Sequence, residues 1–346
     1  MPIDRIVVVG ASAGGVESLI ALASSLPPDL NVAVFVVMHV SPNHVSKLPE
    51  IMGRNGAFRA RHPKDGERFE PGWIYVAPPD HHLMIERDRV IVTRGPKENR
   101  NRPSVDALFR SAAYYYREQV IGIVLSGALD DGTSGLWNIK RMGGIAITQE
   151  LSECIVDSMP TSAMQQVQVD FSVSAFKMGD LLYRLIQENT RMEPPSSERE
   201  HQRMGLEVSV AADDDAFEKG IMEIAAPSTF ACPECHGVLL EIKEGKRTRF
   251  RCHTGHAYSS SALLSELTES VDDSYWKAMR GLEEVAMLLE KTGKELEDEG
   301  QADAAELFRA QASQAREQAL KVRSTLLSNK QYSGDSLLEE VKKIDE

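Results

Sequence analysis

The first fifteen residues constrain the fold of this chain most strongly. Residues 6–9 form a short apolar, β-branched run without polar alternation, which predicts a fully buried strand. The run leads into a turn at residues 10–15, Gly-Ala-Ser-Ala-Gly-Gly, and residues 16–25 are then typical of a helix. A strand, a tight glycine turn carrying a serine, and a helix suit a nucleophilic serine, a phosphate-binding loop or a purely structural turn.

Composition and charge limit the classes of function. Of the 346 residues, 42% are hydrophobic and 26% are charged, which is ordinary for a soluble protein. The four cysteines suit a reducing compartment and a metal better than disulfides. We find no pattern of a signal peptide or a membrane span, so we expect cytoplasmic localisation and no membrane insertion. Residues 191–346 hold 20 basic and 31 acidic side chains, which argues against a nucleic-acid partner.

Further strands and helices alternate through the first half of the chain. Residues 32–38, 120–125 and 144–148 are predicted to be strands, and residues 104–116 a helix. Strands that alternate with helices predict an α/β fold with a doubly wound, mostly parallel sheet, here over residues 1–190.

The second half is predicted to be modular. Its predicted parts are a linker with a short helix at 213–225, a zinc-ribbon-like module, an α-helical hairpin and an acidic tail, over residues 191–228, 229–260, 261–330 and 331–346 respectively.

Three polar residues each follow the carboxyl end of a predicted buried strand: Ser12, His39 and Asp131. Because parallel strands point the same way, we expect these side chains at one edge of the sheet, where a Ser-His-Asp triad could form. A dinucleotide fold would instead place a glycine at the position of Ser12 and an acid at the position of His39. The residues alone leave open whether Asp130 or Asp131 is the acid.

Several stretches together resemble the catalytic domain of the bacterial chemotaxis protein-glutamate methylesterases, the CheB family. They are Gly-Ala-Ser-Ala-Gly-Gly at 10–15, Val-Met-His-Val at 37–40, Ile-Tyr-Val-Ala-Pro-Pro-Asp-His-His at 74–82, Arg-Pro-Ser-Val-Asp-Ala-Leu-Phe at 102–109 and Leu-Ser-Gly-Ala-Leu-Asp-Asp-Gly at 125–132. The resemblance implies a doubly wound α/β fold and a serine hydrolase that cleaves γ-methyl esters of glutamate on chemoreceptor helices, with some glutamine deamidation. It carries the triad over to Ser12, His39 and Asp131, because Asp131 aligns with the acid directly before the last glycine of the family's Gly-Met-Gly-x-Asp-Gly.

The resemblance also implies further residues at the oxyanion or substrate, on weaker grounds than the triad, and a protein partner. The turn after the nucleophile and the loop after the 120–125 strand would serve the oxyanion or substrate through Ala13, Gly14 and Ala128. Ala13 and Ala128 depart from the family, which commonly has Thr and Met at these positions. No cofactor is expected for catalysis. The expected partner is a methylated chemoreceptor or a related acidic, helical signalling protein.

The family's usual phospho-receiver domain is not expected in this chain, and the residues after 230 resemble a C-terminal extension of some receiver-less members. An alternative hypothesis is therefore a non-catalytic regulatory or binding protein on the methylesterase fold, acting through its zinc module and helices. The locally basic residues 87–117 are interpreted as a solvated loop or as a docking face for an acidic protein.

A second group of candidate functional residues, cysteines and histidines, lies in the C-terminal half. Cys232 and Cys235 form one Cys-x-x-Cys pair. Sixteen residues separate Cys235 from Cys252, and His256 lies four positions after Cys252. Two ligands from each of two turns predict a structural zinc, with His253 ranked below His256 because it is adjacent to Cys252. We expect the helices that follow to pack on the catalytic domain or on a protein partner.

Overall fold

The structure is a computed structural model that describes residues 5–188, 197–213, 216, 218–245, 247–329 and 332. The strands of the described residues are β1 (Ile6–Ala11), β2 (Ala33–Met38), β3 (Arg59–Arg61), β4 (Trp73–Val76), β5 (His82–Glu86), β6 (Arg89–Thr93), β7 (Val120–Val124), β8 (Ile145–Gln149), β9 (Phe171–Val173), β10 (Ala226–Ala231), β11 (Val238–Glu244), β12 (Arg247–Cys252) and β13 (Ala257–Ser259).

The helices are spread over both halves of the chain. They are α1 (Gly15–Ser25), α2 (Leu48–Asn55), α3 (Val105–Tyr116), α4 (Thr133–Arg141), α5 (Ser158–Gln166), α6 (Met178–Gln187), α7 (Glu198–Ala212), α8 (Ser260–Asp298) and α9 (Ala302–Ser328). No helix among the described residues is both long enough and apolar enough to cross a bilayer.

A seven-stranded parallel sheet forms the centre of the first half, in the order β3-β4-β2-β1-β7-β8-β9. All six residues of β1 are buried. Val7 and Val9 belong to one apolar cluster and Ile6 and Val8 to another, as expected for a strand with a core on each face. The predicted doubly wound parallel α/β fold is confirmed.

The strand order determines where functional groups can gather. The chain builds the sheet outward from β1 through β2 on one side, then returns to add β7 on the other side of β1. The loops that leave β1 and β7 therefore diverge and open a crevice at the carboxyl ends of these strands. In open parallel sheets this switch point is where ligands bind.

Helix α3 lies unusually close to the central strand. A Cβ on Gly10 would lie 2.2 Å from Cγ1 of Val105, the first residue of α3, so only glycine fits at this position of β1. This close approach brings the N-terminus of α3 to the carboxyl end of β1, where Ser12 follows.

The predicted short helix of the linker was wrong in position. The structure has a 15-residue helix, α7, at Glu198–Ala212. Among the described residues of the predicted range, the helical element is a short 3-10 turn, Ile221–Glu223. The start of α7 is fixed by a capping box: the Ser197 hydroxyl accepts the Glu200 N–H, while the Glu200 carboxylate accepts the Ser197 N–H. The Ser-x-x-Glu signal was present in the sequence, and Asp213, where a helix was predicted to begin, is instead the residue at which α7 ends.

A four-stranded antiparallel sheet follows, in the order β10-β11-β12-β13. It is attached to the first half by a buried ion network in which carboxylates and guanidinium groups alternate. The residues of this network are Glu98, Arg110, Glu207, Glu244, Arg249 and Arg251. Arg251, on β12, donates to Glu98 at 2.5 Å, and Arg110, on α3, donates to both oxygens of the same carboxylate at 3.0 and 2.9 Å.

The chain divides into two compact units, Met1–Leu263 and Leu264–Glu346. In the second unit α8 and α9 are joined at Gly300, whose φ of 81° is in the left-handed region. Ion pairs such as Arg316 with Glu290 link the two helices. Apart from Tyr332, the predicted acidic tail at 331–346 lies outside the described residues, as do residues 191–196 of the predicted linker. The other predicted domain boundaries stay predictions.

We expect Gly10→Ala to lower the free energy of unfolding by about 1–3 kcal/mol, because the added methyl group would collide with the β-branched Val105. Gly53→Ala in α2 is the matched control. Its Cβ would make only ordinary contacts of 3.5 and 3.7 Å, so the better helix former should leave stability unchanged or raise it. Urea unfolding measures both, and equal stability of the two variants would contradict the proposed close packing of α3.

Candidate active site

Ser12 lies in the turn between β1 and α1. Its N–H donates to the Ser126 carbonyl at 2.9 Å, and the Gly15 N–H donates to the Ser12 carbonyl at 2.9 Å, so the turn is held at both ends. Gly14 has a φ of 72°, a conformation that a side chain would strain. The serine is therefore fixed at the carboxyl end of the sheet, directly before the N-terminus of a helix.

His39 joins Ser12 to Asp131. Its Nδ1 lies 3.1 Å from the Ser12 Oγ, and its Nε2 lies 2.8 Å from an oxygen of the Asp131 carboxylate. The three side chains that the sequence singles out are thus brought together in one hydrogen-bonded chain. The ring faces the serine with Nδ1 and the acid with Nε2, which is the reverse of the arrangement in chymotrypsin-type proteases.

The Asp131 carboxylate is buried and is surrounded by donors. One oxygen accepts the Val105 N–H at 2.8 Å as well as facing His39. The other oxygen accepts the Asn99 amide at 2.9 Å, the Ser104 hydroxyl at 2.9 Å and the Asp106 N–H at 3.2 Å. Asp131 therefore caps the N-terminus of α3 from outside that helix, where an anion is favoured.

Two neighbouring carboxyl groups, Asp131 and Asp106, have pKa values that are shifted in opposite directions. Burial alone would raise the pKa of Asp131, but the hydrogen bond and charge of His39, with the donors Asn99 and Val105, hold that pKa below its ordinary value. Burial raises the pKa of Asp106 to about 7, and the negative charge of Asp131 acts in the same direction. The arrangement keeps Asp131 ionised while Asp106 is neutral in mildly acidic solution.

The two candidate acids have different surroundings. Asp130 accepts the Ser259 hydroxyl at 2.7 Å, whereas Asp131 is the one that faces His39. Of the weaker candidates, Ala13 and Gly14 lie in the turn directly after Ser12, and Ala128 is exposed in the loop after β7. The roles of these three residues stay predictions.

Sequence reasoning missed the groups that hold Asp131. Ser104 occupies the N-cap position of α3, but its hydroxyl donates to Asp131 and makes no bond to the backbone of its own helix. Asn99 donates to both Asp131 and Asp106, at 2.9 and 2.8 Å. Ser104 and Asp106 could have been found from the sequence, because they lie in the 102–109 stretch that is shared with the family. No local sequence pattern identifies Asn99.

A cavity of about 270 Å³ opens beside His39 and is bordered by three cationic side chains: Lys97, Arg100 and Arg102. Arg102 is engaged with Asp80, to which it donates at 2.9 and 2.6 Å. Lys97 pairs with Glu234 at 3.0 Å. Part of the basic stretch that was interpreted as a solvated loop or as a docking face therefore has a structural role. Arg100 lines the cavity at a left-handed position, φ 72°.

The four predicted metal ligands also lie together. Each of Cys232, Cys235, Cys252 and His256 offers one potential ligand atom, and these four atoms all lie within 4.8 Å of one another. The Cys235 and Cys252 sulfurs are 3.5 Å apart, and the Nδ1 of His256 is 3.5 Å from the Cys252 sulfur and 3.8 Å from the Cys232 sulfur. Ligands in a tetrahedral zinc site are about 3.5–3.8 Å apart, so the cluster could hold such an ion.

The surroundings of this cluster also suit a metal. The second ring nitrogen of His256 lies 3.4 Å from the Glu234 carboxylate, an arrangement that fixes the ring of a metal-ligating histidine. His253 is exposed and packs against Gly237 instead of joining the cluster.

Comparisons with known proteins identify relatives of the first half of the chain. A family model described as CheB methylesterase matches residues 7–182. A protein-glutamate methylesterase/protein-glutamine glutaminase of Methanosarcina acetivorans is 36% identical over 190 residues, which are 53% of this chain and 53% of the relative. A Leptospira interrogans protein, whose name gives it the same two activities provisionally, is 33% identical over 184 residues, 53% of this chain and 95% of the relative.

A solved structure is similar as well. The crystal structure of the Thermotoga maritima CheB methylesterase catalytic domain is 31% identical, with a TM-score of 0.50, and the match covers 52% of this chain and 98% of that chain. The similarity therefore covers the parallel-sheet half of the chain.

We expect one carboxyl group of the folded protein to titrate near pH 7, as followed by carboxyl ¹³C NMR, and to be missing from the spectrum of Asp106→Asn. Because the folded pKa of Asp106 lies above its value of 3.8 in the unfolded chain, the stability it contributes is fully present below about pH 4 and is lost as the pH rises through 7. If every carboxyl of the wild type titrates below pH 5, the burial and charge argument for Asp106 is wrong.

Proposed function

This chain belongs to the CheB methylesterase family, and on that premise we propose that it is a serine hydrolase that cleaves γ-methyl esters of glutamate in a protein substrate. The observation that carries this proposal is the hydrogen-bonded series Ser12, His39 and Asp131 at the switch point of the sheet. The names of the relatives extend the proposal to deamidation of glutamine in the same site.

In the proposed reaction, the Ser12 Oγ attacks the ester carbonyl carbon while the Nδ1 of His39 takes the hydroxyl proton. The buried Asp131 carboxylate holds the ring through Nε2 and stabilises the imidazolium that forms. When the tetrahedral intermediate collapses, the bond to the methoxy oxygen breaks, and His39 returns the proton so that methanol leaves.

A glutamyl ester of Ser12 remains after the first half of the reaction. Water attacks its carbonyl carbon as His39 takes one of the water protons. When this second intermediate collapses, the bond from the acyl carbon to the Ser12 Oγ breaks, and His39 gives its proton to that oxygen, which frees the glutamate side chain and restores Ser12. We place the developing oxyanion near the backbone N–H groups that follow Ser12 and near Ala128, since donors there would face the attacked carbonyl.

The substrate surface is proposed from charge. The cavity beside His39 is lined by three cationic side chains, Lys97, Arg100 and Arg102, and by one carboxylate, Asp80, which pairs with Arg102. We propose that this excess of positive charge favours an acidic helical segment of a methylated chemoreceptor or related signalling protein. The relatives' printed names specify protein-bound glutamate, which agrees with a protein substrate in general terms.

We also propose a structural zinc in the C-terminal sheet, with Cys232, Cys235, Cys252 and His256 as its ligands, which would make β10–β13 a zinc ribbon. Four protein ligands leave no position for substrate, so the ion would supply folding energy and no catalytic step. Within the chain its ligands join the turn between β10 and β11 to the turn between β12 and β13.

We expect Ser12→Ala to release methanol from a γ-methyl glutamate peptide at least about a thousandfold more slowly than the wild type, because the nucleophile is lost. Asp131→Asn should retain more activity than Ser12→Ala, since the nucleophile and the base are still present. Gas chromatography of methanol measures the rates, and circular dichroism checks the fold. Wild-type rates from Ser12→Ala would refute the mechanism and favour a non-catalytic binding role.

Elemental analysis should find about one zinc per chain in the wild type, and Cys232→Ser should lose it together with part of the thermal stability, because the site needs all four ligands. Cys154→Ser is the matched control, since this thiol lies outside the cluster and its loss should leave the metal content unchanged. A fully folded wild type without metal would show that the cluster is only a set of reduced thiols.

A further inference from the structure

The loop of residues 97–99 connects the C-terminal sheet to the proposed triad. Glu98 forms a parallel bridge with Ala257 of β13: the Ala257 N–H donates to the Lys97 carbonyl at 3.2 Å, and the Asn99 N–H donates to the Ala257 carbonyl at 2.8 Å. The loop therefore extends the four-stranded sheet at the outer edge of β13, in the manner of an added strand.

The Asn99 side chain continues this connection. Its Oδ1 accepts the Ser259 N–H at 2.8 Å, and its Nδ2 donates to Asp131 at 2.9 Å and to Asp106 at 2.8 Å. The side chain is buried and all its polar groups are used. The amide has only one orientation that matches these partners, because its NH₂ faces two carboxylates and its oxygen faces an N–H.

The backbone around Asn99 is held as firmly as its side chain. The preceding Glu98 carboxylate is buried between Arg110 of α3 and Arg251 of β12. Burial alone would raise the pKa of Glu98, but the charges of these two arginines hold it well below its ordinary value, so the ion pairs persist at neutral pH. Asn99 itself has a φ of 49°, a left-handed conformation that asparagine tolerates better than most residues.

We propose that Asn99 is a positioning residue for Asp131, and that the β13 edge of the C-terminal sheet sets its orientation and so tunes turnover at Ser12. The inference rests on the proposed esterase function. The side-chain hydrogen bonds of Asn99 go to Asp131, Asp106 and Ser259, and none of them involves Ser12 or His39. Asn99 acts by fixing Oδ1 of Asp131, while the other oxygen of the same carboxylate, Oδ2, holds His39. Its NH₂ group also lies between the carboxylates of Asp131 and Asp106 and donates to both, which keeps their charges apart.

The first test compares Asn99→Ala with Asn138→Ala in hydrolysis of p-nitrophenyl acetate and of a γ-methyl glutamate peptide. Asn138 is the matched control because it is also buried, but its amide donates only to the Ser134 carbonyl within α4. We expect Asn99→Ala to lower kcat about 10–100-fold on both substrates with KM within about twofold, by analogy with the loss of a hydrogen bond that orients a metal-ligating side chain. Asn138→Ala should lose stability without this loss of kcat.

A spectroscopic readout separates positioning from general damage. The proton between His39 Nε2 and Asp131 should give a downfield ¹H resonance in the wild type and in Asn138→Ala. We expect Asn99→Ala to shift or broaden it. Asn99→Asp should be at least as impaired as Asn99→Ala, because it adds a third carboxylate to the pair Asp106 and Asp131.

The second test addresses the sheet. Ser259→Pro removes the N–H that Asn99 accepts, whereas Ser259→Ala keeps this N–H. Both variants lose the hydroxyl, which donates to Asp130 at 2.7 Å and accepts the Ala262 N–H at 3.0 Å, so the N–H is what distinguishes them. We expect kcat of Ser259→Pro to fall to the level of Asn99→Ala, with no further loss in the double variant, and Ser259→Ala to stay several-fold closer to the wild type. Amide hydrogen exchange in the unmodified protein gives a variant-free check: the Asn99 N–H should exchange as slowly as the Ala257 N–H.

The outcomes distinguish this inference from the proposed function. An inactive Ser12→Ala together with Asn99→Ala at wild-type kcat would overturn the positioning role alone, as would equal losses in Asn99→Ala and Asn138→Ala. Rapid exchange of the Asn99 amide, or Ser259→Pro and Ser259→Ala with the same kcat, would overturn the role of the sheet. Full activity of Ser12→Ala would instead overturn the esterase mechanism itself.

Discussion

The rest of the structure depends on one interaction, the hydrogen bonding of the buried Asp131 carboxylate. An ionised carboxyl group inside a protein costs several kcal/mol unless donors replace the water it has lost. Here the donors come from three separate segments: the end of β2 through His39, the 97–101 loop through Asn99, and the first turn of α3 through Val105 and its neighbours. Satisfying one side chain therefore fixes the relative positions of a strand end, a loop and a helix.

The close packing of α3 follows from the same constraint. Its first N–H groups can reach Asp131 only because Gly10 lets Val105 approach β1. The helix then brings Arg110, one and a half turns further on, to Glu98, where the buried ion network begins. Breaking such a network by removing one partner typically costs about 3–5 kcal/mol, because the other partner is left charged and unpaired. The network thus makes the attachment of the C-terminal sheet specific in position.

One loop serves three purposes at consecutive residues. Lys97 lines the cavity beside His39 and pairs with Glu234 in the turn between β10 and β11. Glu98 enters the ion network, and Asn99 reaches Asp131. Because Glu234 also faces the ring of His256, the Cys/His cluster and the cavity wall share a carboxylate. A change in the C-terminal sheet would therefore alter contacts at the substrate cavity, through Lys97, and at the acid of the proposed triad, through Asn99.

The sequence by itself determined the parallel α/β fold, because buried β-branched strands and amphipathic helices have periodicities that can be recognised within one segment. It also brought Ser12 and His39 into consideration, since both follow strands of a sheet whose carboxyl ends meet at one edge. The motifs shared with the family favoured Asp131 over Asp130, and the Cys and His spacing pointed to one cluster. The three-residue strands β3 and β9 were not predicted, because their burial and pairing come from neighbouring strands and not from a pattern of their own.

Only the tertiary structure decided which side chains support these groups. The contact of His39 with Ser12, the bond from the Val105 N–H to Asp131 and the bond from the Ser259 N–H to Asn99 join residues that are 27, 26 and 160 positions apart. No local pattern specifies such pairs. The helix α7 shows the intermediate case: its capping box could be found in the sequence, but its burial against α3 through Met204 and Val208 outweighs the polar composition that suggested a linker. Propensity and spacing act over a few residues, whereas the positions of buried charges are determined by the whole fold.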